Sequence, residues 1–367
     1  MTIDARAIDR IDPQAAAADW LRRSVWIGGW WLGSRSIVFV TAAISRSVSV
    51  LAGWDGHWYR TVASDGYLLV PGRQSDPAFF PLYPSLLRIV HSAGIGYETA
   101  GLLIANLAFL GALVAFHALT RDLFGDAVAR RATKYVAIFP CGYVFSMAYP
   151  ESLVLAAIAL AGLAAVRGRW GISAAAATAA AIARPEGVFL AIPLAACAYR
   201  SRSELTPAEA GLAFGSALAP LGAFAAFPLY LDRVIHDPVA WSRAERAWGR
   251  HFSPLGAIHA VMRLPHAFAG SAWIARDAAM TVLYVLLLFA AARMGAPRAW
   301  LAAGSAVVIL PLFSGSFDSI GRFGLLAPPV FWGLAGLGRR RPIDLSLQAV
   351  SIALLVAATA TVTLAPP

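Results

Sequence analysis

The sequence predicts an all-α fold, a polytopic membrane helix bundle of about eleven transmembrane helices, and three observations carry that prediction. Of its 367 residues, 59% are hydrophobic. Only 14% are charged, where a soluble domain carries about 25%, and the mean hydropathy is +0.65. Apolar runs then recur from end to end, near 25–51, 97–119, 135–149, 151–166, 171–183, 187–199, 209–231, 273–292, 299–313, 323–338 and 346–364. A span needs about 20 apolar residues, and the shorter runs need the shelter of a bundle.

Residues 1–24 are polar, hold Arg6, Arg10, Arg22 and Arg23, and lack a small-residue cleavage site ahead of the first run. They are expected to be a cytoplasmic segment rather than a cleaved signal. The remainder, 25–364, is expected to be a single transmembrane domain. With the N-terminus inside, the inner loops hold Arg121, Arg130, Arg131 and Lys134, then Arg167 and Arg169, Arg200 and Arg202, Arg293 and Arg298, and Arg339 to Arg341. Those loops are short and basic, as the positive-inside rule requires. The outer side receives two long loops, 52–96 and 232–272, and the tight turns at Tyr149–Glu151, Arg184–Gly187 and Ser314–Arg322. Function is expected on that outer face.

The helices are rich in Ala, Gly and Leu, and Ser173 to Ala183 is nearly all Ala. Small residues let helix backbones approach closely in lipid. The net charge of +10 is scattered over short loops, which argues against nucleic acid as a partner. Lys134 is the only lysine. With the abundant Ala, that bias suggests a GC-rich bacterial genome and hence a bacterial plasma membrane. Cys141 and Cys197 fall inside apolar runs and read as small buried hydrophobes. No internal repeat of the kind that marks secondary transporters is evident. The mid-span charges are few, Arg35 and Arg46 among them.

The chemistry concentrates in Trp54–Pro84, WDGHWYRTVASDGYLLVPGRQSDPAFFPLYP, a connection longer and richer than a plain helix link. Asp55 follows the first span closely. It is either a general base at the membrane surface or the N-cap of an interfacial helix. Helical spacing puts Asp55 and Tyr59 on one side and His57 and Arg60 on another. Trp54, Trp58 and Tyr59 also suit plain interfacial anchoring. His57 and Arg60 are candidates to touch a lipid phosphate. Asp65 precedes Gly66, which fits a helix C-cap, so Asp65 supports structure or the site around it.

Four further clusters fall on the same face. Glu151 ends a span at a tight turn and either binds sugar hydroxyls or pairs with an arginine. Arg184 can grip a phosphate through its planar fork of donors, or bridge to Glu151 or Glu186. In the second long loop Arg243, Arg246 and Arg250 are spaced to line one helix face, interleaved with Trp241 and Trp248. Arg322 begins a helix after Ser314–Gly321 and is a second phosphate candidate.

Taken in order, WDGHWYRTVASDGY, AFFPLYP, FPCGYVFSMAYPES, ARPEG and SIGRF resemble the GPI mannosyltransferase II (PIG-V-like) family, whose bacterial relatives are membrane glycosyltransferases of the GT-C fold. Ala183 stands where Thr is common, and Phe323 where Tyr is usual. The resemblance implies an inverting transfer of a sugar, mannose first, from a polyprenyl-phosphate donor to an acceptor hydroxyl, with Asp55 as base. It implies a GT-C-type bundle with short interfacial helices in the first outer loop. Arg184, Arg322, Arg250 and His57 are then expected at the donor phosphate. Glu151, Arg60, Asp65, Tyr59 and Arg246 are expected to contact substrate or to support residues that do. Cationic side chains can stabilise a phosphate leaving group, and the sequence holds neither a DxD nor a His pair with a carboxylate. Metal independence and the absence of any cofactor are therefore expected. The acceptor is a lipid, glycan or peptide, and membrane lipids are the surrounding partners. Two alternatives stay open: a flippase or exporter of a polyprenyl-linked lipid, and a GT-C transferase using glucose or arabinose.

Overall fold

In the computed structural model, residues 13–45, 48–269 and 271–364 are described. Arg6, Arg10 and Arg46 lie outside them, with residues 1–12 of the expected N-terminal segment. Helix α1 runs Pro13–Ile44, so helix begins well before the expected first span. Two short helices follow in the first loop, α2 (Asp55–Asp65) and α3 (Leu82–Ser92). Next come α4 (Tyr97–Phe124), α5 (Asp126–Ile138), α6 (Glu151–Val166), α7 (Trp170–Ala183), α8 (Ala191–Ser201) and α9 (Pro207–Ile235). The second loop holds α10 (Ala240–Ala247), α11 (Gly256–Met262) and α12 (Leu264–Ala269). The chain closes with α13 (Ala272–Arg293), α14 (Arg298–Ile309), α15 (Ile320–Phe323), α16 (Pro328–Leu337) and α17 (Arg341–Ala360). It is an all-α integral membrane protein.

Among the described residues five helices are long and apolar enough to cross a bilayer, six if the bent pair Ile320–Leu326 and Pro328–Leu337 counts as one. Where about eleven apolar runs were expected to span, these are the full-length ones, and Glu151–Val166, Trp170–Ala183 and Arg298–Ser314 are shorter apolar helices. The run at 135–149 is not a span. Helix α5 stops at Ile138, ahead of Pro140, whose ring disfavours helix in the preceding residue and which has no N–H to give. The backbone freed there is satisfied by Arg35 of α1, buried at 3% exposure. Its guanidinium donates to the Ala137 carbonyl at 3.2 Å, to the Gly142 carbonyl at 3.1 Å and to Ser146 Oγ at 2.8 Å. The Phe109 ring lies 4.4 Å away. Arg35, one of the few mid-span charges in the sequence, is a backbone clamp.

Local chemistry sets other boundaries. Helix α9 opens with a capping box, Thr206 and Glu209 exchanging hydrogen bonds with each other's backbone N–H, and with Pro207 at its first position. Helix α16 is laid directly on α13: a Cβ at Gly333 would collide with the Leu287 carbonyl oxygen. Gly333→Val is expected to lower the thermal unfolding midpoint in detergent, by roughly the 1–3 kcal/mol of overpacking. An unchanged midpoint would show that α16 and α13 are free to separate.

Residues that follow α1 (Asp55), α7 (Arg184), α9 (Arg250) and α14 (Arg322) line one cavity. These four helices therefore end on the same side of the bundle. The opposite side is joined by ion pairs such as Arg167–Asp122 at 2.8 Å and Lys134–Asp344 at 2.8 Å.

Candidate active site

The cavity measures about 540 Å³. Its charged wall comes from four separate stretches of chain. Asp55 is the first residue of α2, and Trp54 before it has φ 50° and ψ −124°. Holding a tryptophan there costs on the order of 1–3 kcal/mol. Among the described residues Trp54, His236 and Ser319 are the non-glycine residues with positive φ. Two of these three strained positions stand just ahead of Asp55 and Arg322.

The cap reading of Asp55 is corrected: Trp54 occupies the N-cap position, with no side-chain cap bond. Asp55 Oδ2 instead accepts from Arg322 NH1 at 2.5 Å, while its backbone N–H donates to the Tyr149 hydroxyl at 3.0 Å. Burial pushes the Asp55 carboxyl up, but the Arg322, Arg250 and Arg184 guanidiniums outweigh it and hold it below the ordinary value. The carboxylate is anionic at working pH.

Arg322 is 3% exposed. It also lies 3.8 Å from Glu151 Oε1. Arg184 gives both readings at once for its ion pairs: Nε and NH2 each reach Glu186 at 3.0 Å, and NH1 reaches Glu151 at 2.7 Å. Glu151 is fully buried behind the two arginines. Arg250 NH2 donates to Ser319 Oγ at 3.2 Å. The Phe323 ring sits among all three, 5.0 Å from the Arg184 guanidinium carbon and 5.5 Å from those of Arg250 and Arg322. An aromatic face lets like charges gather without adding a formal negative charge. Buried polar atoms without a partner include Arg322 Nε, Glu151 Oε2 and Trp241 Nε1, all at this site.

The rest of the lining is aromatic. Phe79 and Phe80 of the AFFPLYP stretch line it, with Trp248 packed against Phe79 and Trp241 against Phe80. Trp58 stacks on Phe79 at 5.9 Å, and Trp248 meets Phe79 edge-on at 5.6 Å. Trp248 Nε1 donates to the Ser75 carbonyl at 3.2 Å, which ties the second loop to the first.

Of the residues singled out in sequence, Asp55, Arg184, Arg322, Arg250, Tyr59 and Arg246 line the cavity. Glu151 lies behind it. His57 and Arg60 do not reach it: they pair with each other at 2.8 Å, and Arg60 with Glu98 at 2.9 Å, on the exposed side of α2. The helical spacing that separated them from Asp55 and Tyr59 is what the structure shows. Asp65 is exposed at the end of α2, beside Gly66 with φ 85°. Arg243, Arg246 and Arg250 do not share a helix face. Helix α10 ends at Ala247, and Arg243 turns away to Asp237 at 2.7 Å.

Two residues were given no role in the sequence reading, Glu245 of the second long-loop cluster and Asp277. Glu245 lines the cavity 3.9 Å from Arg250. Burial raises its carboxyl above the ordinary range, against the pull of Arg250. Asp277 sits well inside apolar α13, 1% exposed, and accepts from the Ser319 backbone N–H at 2.7 Å. An ionisable residue within a span is a functional candidate by default, and that signal would have found it. Among the described residues no three His, Cys, Asp or Glu side chains are grouped to hold a metal ion.

No protein-family model matches the chain, and no curated protein does. Among solved structures it is similar to an oligosaccharyltransferase of Archaeoglobus fulgidus. In that enzyme's complex with zinc and sulfate the identity is 13% and the TM-score 0.43, over 89% of this chain and 53% of that one. In the complex of the archaeal enzyme AglB with an inhibitory peptide and a dolichol-phosphate the figures are 13% and 0.45, over 91% and 56%. The chain spans a little over half of the length of that enzyme. Likeness at this level says nothing of the chemistry.

Proposed function

We propose that the protein is an inverting GT-C-type glycosyltransferase that moves a sugar, mannose in the first instance, from a polyprenyl-phosphate donor to an acceptor hydroxyl. One observation carries the reading: a carboxylate, Asp55, is held in an aromatic-lined cavity beside three clustered arginines. Acid and anion-binding groups in such proximity suit a displacement at an anomeric carbon next to a phosphate.

In this reading Asp55 accepts the proton of the attacking hydroxyl through Oδ1, the oxygen that Arg322 leaves free. The new C–O bond forms as the anomeric carbon–phosphate oxygen bond breaks. The bonding pair leaves with polyprenyl phosphate, whose charge falls to Arg322 and Arg250, with Arg184 behind them. Donor binding also primes the base. A phosphate on those guanidiniums takes up the positive charge that holds the Asp55 carboxyl low, so its basicity rises when the donor is in place. Phe79, Phe80 and the Trp241–Trp248 wall would hold sugar and the start of the prenyl chain. Lipid, glycan and peptide acceptors all fit this chemistry.

The short basic connections at the opposite end of the bundle favour a cavity on the outer face of a bacterial plasma membrane, with the N-terminus inside. A lipid-carried donor suits that side, where nucleotide sugars are not supplied. Metal independence is part of the proposal, because arginines stand where a cation would neutralise the leaving group. The test uses purified protein in detergent, radiolabelled polyprenyl-phosphate mannose and a membrane lipid extract, with and without EDTA. Transfer of label, unchanged by EDTA, is expected. Loss of transfer with EDTA overturns the metal-free reading. Donor crossing reconstituted vesicles without label transfer puts the exporter reading in its place.

A further inference from the structure

The turn that presents Arg322 is gripped from behind by α13. Asp277 Oδ2 accepts from the Ser319 N–H at 2.7 Å, and Asp277 Oδ1 from Arg276 Nε at 3.1 Å. Two turns on along the same helix face, the Tyr284 hydroxyl donates to the Gly321 carbonyl at 2.5 Å. A Cβ at Gly321 would meet Asp277 Oδ1 at 2.6 Å, and one at Gly324 would collide with the Tyr284 ring. The turn is therefore fitted to α13 at both ends.

Ser319 itself has φ 67° and ψ 4°. That left-handed conformation favours glycine, so a serine there carries a cost that its side chain must offset. The Ser319 hydroxyl does one visible thing: it accepts from Arg250 NH2. Arg250 comes from the second outer loop, 69 residues away; its backbone N–H donates to the Glu245 carbonyl at 2.8 Å, but the other contacts of its guanidinium are loose, Glu245 at 3.9 Å and the Phe323 ring at 5.5 Å. Ser319 is thus the point where the loop-borne arginine is joined to the turn that carries Arg322.

We infer that Ser319 is a positioning residue, held by Asp277, that sets Arg250 beside Arg322 so that both can take one phosphate. The inference rests on the donor-phosphate reading above. It separates folding from function at a single residue. Ser319→Gly keeps the backbone N–H for Asp277 and relieves the left-handed strain, yet removes the hydroxyl that anchors Arg250. Ser319→Ala removes the same hydroxyl and keeps the strain.

The test measures binding of undecaprenyl phosphate to the full chain in detergent, read by quenching of tryptophan fluorescence, alongside thermal unfolding. Loss of one hydrogen bond to a charged group corresponds to about a tenfold rise in Kd. Ser319→Gly and Ser319→Ala are expected to share that rise. The unfolding midpoint of Ser319→Gly should equal or exceed that of the wild type, with Ser319→Ala below it. Arg250→Gln should weaken binding at least as much, and the double variant Ser319→Gly/Arg250→Gln no more than Arg250→Gln alone, since the two act as one unit. Wild-type binding by Ser319→Gly, or a double variant showing the product of the two single effects, overturns the inference and leaves the transferase reading standing. Failure of the wild type to bind the lipid phosphate removes both.

Discussion

Asp55→Asn is expected to lower the rate of sugar transfer by about 10²- to 10⁴-fold, the range that a positioned general base contributes. Asn matches the shape of Asp and can still accept from Arg322 through its amide oxygen, so the site should stay assembled. What it lacks is the charge and the capacity to take a proton. The loss should therefore fall on kcat, with the donor KM unchanged or lower, because Arg322 is relieved of a competing carboxylate. The pH profile gives a second check. The Asp55 carboxyl is held below its ordinary value by Arg322, Arg250 and Arg184, against burial. Its folded value is depressed, so the Asp55–Arg322 pair contributes stability above the ordinary carboxyl value of about 3.9 and loses it as pH falls through the lower folded value. Transfer by free enzyme should then show no acidic limb from Asp55 between about pH 7 and pH 5. Retention of transfer within a few-fold in Asp55→Asn would move the base to another group, Glu245 being the next carboxylate on the cavity wall.

Glu151→Ala is expected to cost about 3–5 kcal/mol of stability, the usual result of removing one member of a buried charge pair. Glu151 is fully buried, accepts from Arg184 at 2.7 Å and lies 3.8 Å from Arg322. Without it two buried guanidiniums face each other with one fewer counter-charge. Should that variant fail to accumulate, Glu151→Gln keeps the volume and one acceptor oxygen and should fold with a smaller loss. Its unfolding midpoint in detergent should lie between those of wild type and Glu151→Ala. A Glu151→Gln protein as stable as wild type, with transfer intact, would show that Glu186 alone holds Arg184.

Much of the site's membership was legible in the sequence, for a simple reason. Charges are expensive in an apolar chain, so the few that remain stand out. Asp55, Arg184, Arg250 and Arg322 stood out in that way and through the family resemblance of the motifs around them, and they line one cavity. The same rule misleads where a charge serves the backbone. Arg35 would count as a functional candidate by that rule, but its partners are the carbonyls of a segment about a hundred residues on, where α5 breaks before Pro140. Helical spacing correctly set His57 and Arg60 apart from Asp55. It could not say that they would be paired to each other and to Glu98.

Composition and apolar run length by themselves determined the all-α membrane fold, because only chains able to satisfy their backbone internally enter a bilayer. The distribution of charged residues over the loops gave the expectation that the chemistry would gather at one end. Tertiary structure alone decided where the run at 135–149 breaks, since a proline and a distant guanidinium end α5 at Ile138. It alone decided the left-handed turns at Trp54 and Ser319, because the sign of φ at a non-glycine residue is imposed by what grips it. And it alone decided what Asp277 holds, because its partner Ser319 lies 42 residues away, at a separation no local pattern can read.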